Sequence, residues 1–148
     1  MGDGMHGVGF GTTQEVQPTE YKVFADVGFT FPVMLSSASR DDFGSPAHSP
    51  STTIRRGIVL GRVTASKEFI DYDASITPAT GQEVAICFLD EEVNLLNEVS
   101  GAAEDKLATA HLGGVYEGTT ATSPNIDAGA LTDIRGKFGS GFKADIYG

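Results

Sequence analysis

Tryptophan is absent from this chain of 148 residues, and cysteine occurs once, at Cys87. A single thiol closes no internal disulfide and assembles no cysteine-based zinc site, so neither kind of staple is available. Long hydrophobic runs are missing too. The longest, Val84-Ala85-Ile86-Cys87-Phe88-Leu89, is far short of the ~18 to 20 apolar residues that a membrane helix needs. Positive charge is scarce: 10 Lys and Arg face 20 Asp and Glu, for a formal charge of −10 and an isoelectric point near 4.5. Such a surface repels nucleic acid and anionic lipid, which disfavours a direct role on either. The N-terminus shows no basic segment leading into an apolar stretch and a cleavage site, so synthesis in a cytoplasm is the expectation.

What is present is enough for a core. Leu, Ile, Val and Phe make up roughly a quarter of the chain, above the ~20% below which disorder is the better description. Glycine is abundant, at 19 residues, without a three-residue period, which excludes a collagen-like rod and favours a turn-rich fold. The length fits one domain with an attached arm.

Residues 1 to 20 form that arm: glycine at 2, 4, 7, 9 and 11, and few apolar side chains, too few to offset the entropy of ordering the segment alone. Val8, Phe10 and Val16 are either anchors that gain order against a partner or parts of a solvated tail. Residues 21 to 148 are expected to form a single β-rich domain. Tyr21, Val23, Ala25 and Val27 alternate with Glu20, Lys22, Phe24 and Asp26, the period of a half-buried strand. A second extended segment runs from Phe29 to Leu35, where Pro32 lacks a ladder donor and confines it to an edge or bulge. Residues 36 to 53 read as a long loop, of the kind that is usually functional or mobile.

Residues 54 to 73 are the most informative stretch. Ile58, Leu60 and Arg62 against Val59, Gly61 and Val63 give a strand apolar on nearly both faces, with Gly57 and Gly61 suited to bulges or close backbone approach. A turn over 64 to 67 leads to a short return strand at Phe69, Ile70 and Tyr72. Residues 84 to 89 read as a buried strand, being short and bounded by turn signals. For residues 90 to 106 the spacing of Val93, Leu96 and Val99, with Asp90 as cap and Gly101 as stop, predicts a short helix. Residues 111 to 118 and 131 to 138 look like further strands.

No arrangement of side chains stands out as catalytic. Gly2-Asp3-Gly4-Met5-His6-Gly7 matches GxGxxG, but at residue 2 no strand precedes it to build a dinucleotide site. His6, His48 and His111 lack metal-ligand spacing. Asp71 and Asp73, two apart on a strand, share a side and so could hold a hard cation or relay a proton, although a solvent-facing strand edge accounts for them better. Ser140 lacks the spacing of a nucleophile elbow. Cys87, in apolar company, reads as core. Asp90, Glu91 and Glu92 read as a solvated face, with cation binding the lesser alternative. The expectation is therefore a protein without enzymatic activity, cofactor or metal.

The order Arg56-Gly57-Ile58-Val59-Leu60-Gly61-Arg62-Val63-Thr64, then Phe69, Tyr72-Asp73, a Gly-centred loop, Val84-Ala85-Ile86 and Leu89-Asp90-Glu91-Glu92-Val93, resembles the head decoration proteins of tailed bacteriophages, the lambda protein D family. The match covers residues 54 to 93. A weaker match at Gly114-Val115-Tyr116-Glu117-Gly118 or Ile134-Arg135-Gly136-Lys137-Phe138 takes the place of a later strand of the family. Residues 94 to 131 are longer than the corresponding connection in compact members, and Cys87 stands where the family commonly has glycine. The resemblance implies an all-β domain of the β-clip or β-tulip type with at most short helices. It also implies a homotrimer on the outer surface of an icosahedral head, bound to the major capsid protein. The capsid-binding residues would be Val8, Phe10 and Val16 of the arm with Tyr21 and Phe24 beyond it, and neither nucleic acid nor membrane would be a partner. Other readings are a head–tail connector or tail-tube subunit, a small hydrolase using Asp71 and Asp73, and a binding module unrelated to phage.

Overall fold

The computed structural model describes residues 29–112, 115–117, 122–136 and 145–147, with residue 136 and the segments 115–117 and 145–147 described in backbone alone. The fold is mainly β, as expected, with one short helix among the described residues. Its centre is a closed five-stranded barrel in the order β1 (Phe29–Leu35), β4 (Phe69–Asp71), β3 (Val59–Arg62), β5 (Ala85–Leu89) and β7 (Lys106–Leu112). Beside it, β2 (Thr53–Ile54) pairs with β6 (Val93–Asn94), and β8 (Val115–Glu117) pairs with β9 (Asp145–Tyr147). The helix α1 spans Ala128–Gly136. No helix among the described residues is long and apolar enough to cross a membrane.

The strand predicted over 58 to 63 is buried on both faces for a visible reason. Ile58 and Leu60 point into the barrel, where they meet Val33, Leu35, Cys87, Leu89, Ala108 and Ala110. Val59 points outward into a second cluster with Tyr72, Ala85, Phe88 and the α1 residues Ala130 and Ile134. A bulge between Leu60 and Gly61 shifts the register with β5. Gly61 is required there, because a Cβ would stand 2.6 Å from the Gln82 carbonyl oxygen, closer than nonbonded atoms tolerate.

Strand β1 carries the edge character that Pro32 imposes. It pairs along its whole length with β7, from Phe29 opposite Leu112 to Leu35 opposite Lys106. Its meeting with β4 is a single parallel pair, Leu35 with Phe69. Ser36 N–H donates to the Phe69 carbonyl at 2.8 Å, so the even-numbered residues aim their backbone groups at the β4 side. Pro32 is even-numbered, and its missing N–H therefore costs the β7 ladder nothing. Where that seam lacks a ladder it is filled by rings: Phe31 meets Phe69 edge-on at 6.4 Å, with the Arg62 guanidinium 5.7 Å over Phe69.

Two expectations fail. Residues 90 to 106 form no helix: Val93 and Leu95 are buried in alternation with exposed Asn94, Leu96 bridges Ala103, and Val99 stands 97% exposed. The winning forces are the apolar alternation at 93 to 95 and a turn built on Asn97. The Asn97 side-chain oxygen accepts from Val99 N and Ser100 N, and its amide donates to Glu104, while Gly101 takes a φ of +71°. In the second case the stretch beginning at 131 is helical rather than extended. Asp127 caps α1 by accepting from Ala130 N at 2.7 Å, and Ala130 and Ile134, four apart, are fully buried.

The loop over residues 36 to 52 is pinned at several points. Asp41 is fully buried, and both its oxygens receive the Arg55 guanidinium, at 2.6 Å from Nε and 2.7 Å from Nη2. Asp41 also accepts from Arg55 N. Ser37 N donates to Asp105, which holds the Asp105 carboxyl below its usual range. The hydrogen bond to Asp41 raises the Arg55 pKa further, outweighing the cost of its partial burial.

Candidate functional site

The carboxylates at 71 and 73 do not form a pair. Asp71 ends β4 and is buried instead of facing solvent. Its Oδ1 accepts from Ser39 Oγ and from Arg40 N, each at 2.8 Å, and Gln82 Nε2 donates to its backbone carbonyl. Burial pushes its pKa above the ordinary carboxylate range, against the pull of the Arg40 and Ser39 bonds. Asp73 lies beyond the strand, in a turn. It accepts from Ser75 N and Ser75 Oγ at 2.8 and 2.6 Å, and those bonds lower its pKa. The alternation that would align the two stops where β4 stops, so Asp71 anchors the 36 to 52 loop and Asp73 closes a turn.

Other candidates take structural places. Cys87 is fully buried in the barrel, where desolvation pushes its thiol up to about 12. His111 is buried on β7 with Nδ1 3.8 Å from Asp90 Oδ2, and His48 is half-buried in the pinned loop. Of the acids after β5, Glu91 and Glu92 are exposed, as a solvated face requires, while Asp90 accepts from Arg56 Nη2 at 2.7 Å and Glu91 from Thr109 N at 2.6 Å. Among the described residues no group of three His, Cys, Asp or Glu could hold a metal ion. The GxGxxG match, His6, Ser140 and the expected capsid-binding residues Val8, Phe10, Val16, Tyr21 and Phe24 lie outside the described residues.

What the described residues do present is an apolar outer face on the β1–β7 ribbon. Phe31, Val33 and Leu35 turn inward, which leaves Thr30, Pro32 and Met34 outward, opposite His111, Thr109 and Leu107. Met34 is 44% exposed and Leu107 70%. Because even-numbered β1 backbone groups face β4, Met34 and Leu107 form a non-hydrogen-bonded pair, the kind whose Cα atoms approach to about 4.5 Å and whose side chains touch. Pro32 and Thr109 continue the face. Its flank lacks a ladder as well: from Thr30 to Val33 no strand among the described residues pairs with the β1 backbone on the β4 side, where only the Phe31 and Phe69 rings meet. An open edge beside an exposed apolar face is a docking geometry, able to offer backbone acceptors and side-chain contact together. The sequence signalled the edge through Pro32 but not the exposed face, since Met34 and Leu107 reveal their pairing through the β1–β7 register alone.

No protein-family model matches the chain, and a search of curated proteins finds none similar to it.

Proposed function

We propose that the chain is a capsid decoration protein: it binds the outer surface of an expanded phage head as a homotrimer and bridges neighbouring major capsid protein subunits. The observation that carries this reading on the structural side is the β1 edge, left without a strand partner from Thr30 to Val33 among the described residues, with Pro32, Met34 and Leu107 beside it, a surface for adhesion placed directly after residues 1 to 28 in the chain. The resemblance over residues 54 to 93 and the mainly β fold support it too. The engagement of Asp71 by Ser39 and of Asp73 by Ser75 favours this reading over a hydrolase that uses the two carboxylates. In the proposed mechanism the trimer offsets the outward pressure of packaged DNA with contact free energy. Each arm binds weakly, and linking three raises avidity by ~10² to 10⁴, provided all reach their sites. The acidic remainder faces solvent and keeps particles apart.

The test is attachment to expanded heads that lack the protein. Deleting residues 1 to 20, or replacing Met34 and Leu107 together by Glu, should leave a folded product that attaches much more weakly. Undiminished attachment of both variants, or a wild-type protein found in a few copies at one vertex instead of hundreds over the head, refutes the proposal.

A further inference from the structure

The segment 122–136 meets the barrel in an unusual way. Adjacent barrel strands other than β1 and β4 are joined by main-chain ladders, whereas this segment is tied on through side chains. Asn125 is the central tie. Its Oδ1 accepts from Val59 N at 2.8 Å, and its Nδ2 donates to the Val59 and Tyr72 carbonyls at 2.9 and 3.2 Å. Val59 and Tyr72 are already joined by a bond from Tyr72 N to Val59 O. The amide thus stands between a strand N–H and a strand carbonyl that would otherwise face each other, as a wedge where β3 and β4 diverge. Ser123 Oγ donates to the Gly57 carbonyl, Asp133 accepts from Ala85 N at 3.0 Å, and the Tyr72 hydroxyl donates to Asp127 at 3.0 Å. The apolar part of the contact comes from three side chains of the segment, Ala130 and Ile134 buried and Ile126 partly buried, against Val59, Tyr72, Ala85 and Phe88.

We infer that residues 122–136 form a strap that lifts from the barrel as one unit while the barrel stays folded. Three observations carry this. The five-stranded ladder closes without any strand from the strap. The helix has nine residues, fewer than the ~12 to 15 an isolated helix needs to hold its shape in water, so undocking and unwinding occur together. The ties converge on one patch, so losing one weakens the others. Segments with few buried apolar contacts open at lower free energy than the core they cover. Lifting the strap uncovers an apolar strip of Val59, Ala85 and Phe88 together with the Ala85 N–H, while the interior of the barrel remains sealed.

Native-state hydrogen exchange on the full chain tests this, with two reporters that do not touch Asn125. The Ala85 amide is held by Asp133, and the Leu131 amide by the Asp127 carbonyl. The Leu89 amide, bonded to the Ile58 carbonyl inside the barrel, is the control. In the wild type Ala85 and Leu131 should exchange through one common opening, with the same dependence on low denaturant, and faster than Leu89. Asn125→Ala should accelerate both by the same factor, at least about tenfold, and leave Leu89 unchanged. The milder Ser123→Ala, which removes the single bond to Gly57, should accelerate the same pair by a smaller common factor and serves if Asn125→Ala does not fold. Acceleration of Leu89 along with the pair would make the strap an integral part of the barrel, and an unmoved Ala85 would mean that the ties act separately. Either result overturns the inference.

Discussion

The Arg55–Asp41 pair allows a prediction in which the two halves of one ion pair have unequal worth. Asp41 is 0% exposed at its side chain, and Arg55 is 30% exposed. Replacing Arg55 by Met removes two charge-assisted bonds and leaves a carboxylate enclosed, with Arg55 N–H as its remaining partner from that residue. Stranding a buried charge in this way costs about 3 to 5 kcal/mol. Replacing Asp41 by Ala strands the guanidinium instead, but that group can swing toward water and keeps its bond to the Phe43 carbonyl. What is lost then is mainly the charge-assisted bonding, about 1.5 to 3 kcal/mol. Arg55→Met should therefore be the more damaging change by at least about 1 kcal/mol, and the double variant should fall close to Asp41→Ala alone instead of at the sum. Urea unfolding of the four proteins, followed by two probes to establish two-state behaviour, gives the cycle directly. Equal single costs, or additivity in the double variant, would refute the claim that burial of Asp41 sets the asymmetry.

Two further outcomes follow from groups buried in the barrel and its anchors. Asp71→Asn keeps an acceptor for Ser39 and Arg40 and should cost under about 1 kcal/mol, whereas Asp71→Ala removes the acceptor of both the buried Ser39 O–H and the Arg40 N–H, leaving Ser39 Oγ only the bond that it accepts from the residue 71 N–H, and should cost about 2 to 3 kcal/mol. Because the folded-state pKa of Asp71 is raised, its contribution is greatest at acid pH and declines as pH rises through its titration. Asp71→Asn should accordingly gain on the wild type between acid and neutral pH in a denaturation series, and a gap that does not change with pH would contradict this. At the alkaline end, Cys87 and Tyr72 are each pushed up to about 12, by burial first and, for Tyr72, by its bond to Asp127. Both stay protonated when folded and ionise once unfolded, so stability should fall from about pH 8.5 upward, approaching ~1.4 kcal/mol per pH unit for each group. Cys87→Ala should abolish the slope between about pH 8.5 and 10, where the thiol alone ionises on unfolding, and a slope that persists there would refute the assignment.

The parts of the fold that were legible in the sequence were those specified locally. The alternation at 58 to 63, the return at 69 to 72 and the apolar run at 84 to 89 each carry their own period and their own turn residues, and they became β3, β4 and β5. The helix at 128 to 136 was hidden because two residues, Ala130 and Ile134, make its fully buried face, and an extended strand presents a similar pattern. Its docking depends on Asn125 and Asp133, polar side chains whose partners are backbone groups tens of residues away. Val93, Leu96 and Val99 suggested a helical stripe, yet Val93 and Leu95 form the pair that the core takes up, and a stripe of three offers no way to choose between the periods. The docking face is not legible in the sequence for a related reason: Met34 and Leu107 are brought together by a strand pairing that sequence spacing does not encode.

That same pairing governs how the chain comes to its final form. Residues 29 to 35 must find residues 106 to 112, so the ladder zips only after some seventy intervening residues have been drawn into a closed loop, and contacts of such long sequence separation slow folding. During synthesis β1 leaves the ribosome early and waits for a mate that arrives much later, its edge bare in a crowded cell. Pro32, with no hydrogen to offer, makes that waiting edge a poor template for a neighbouring chain to join.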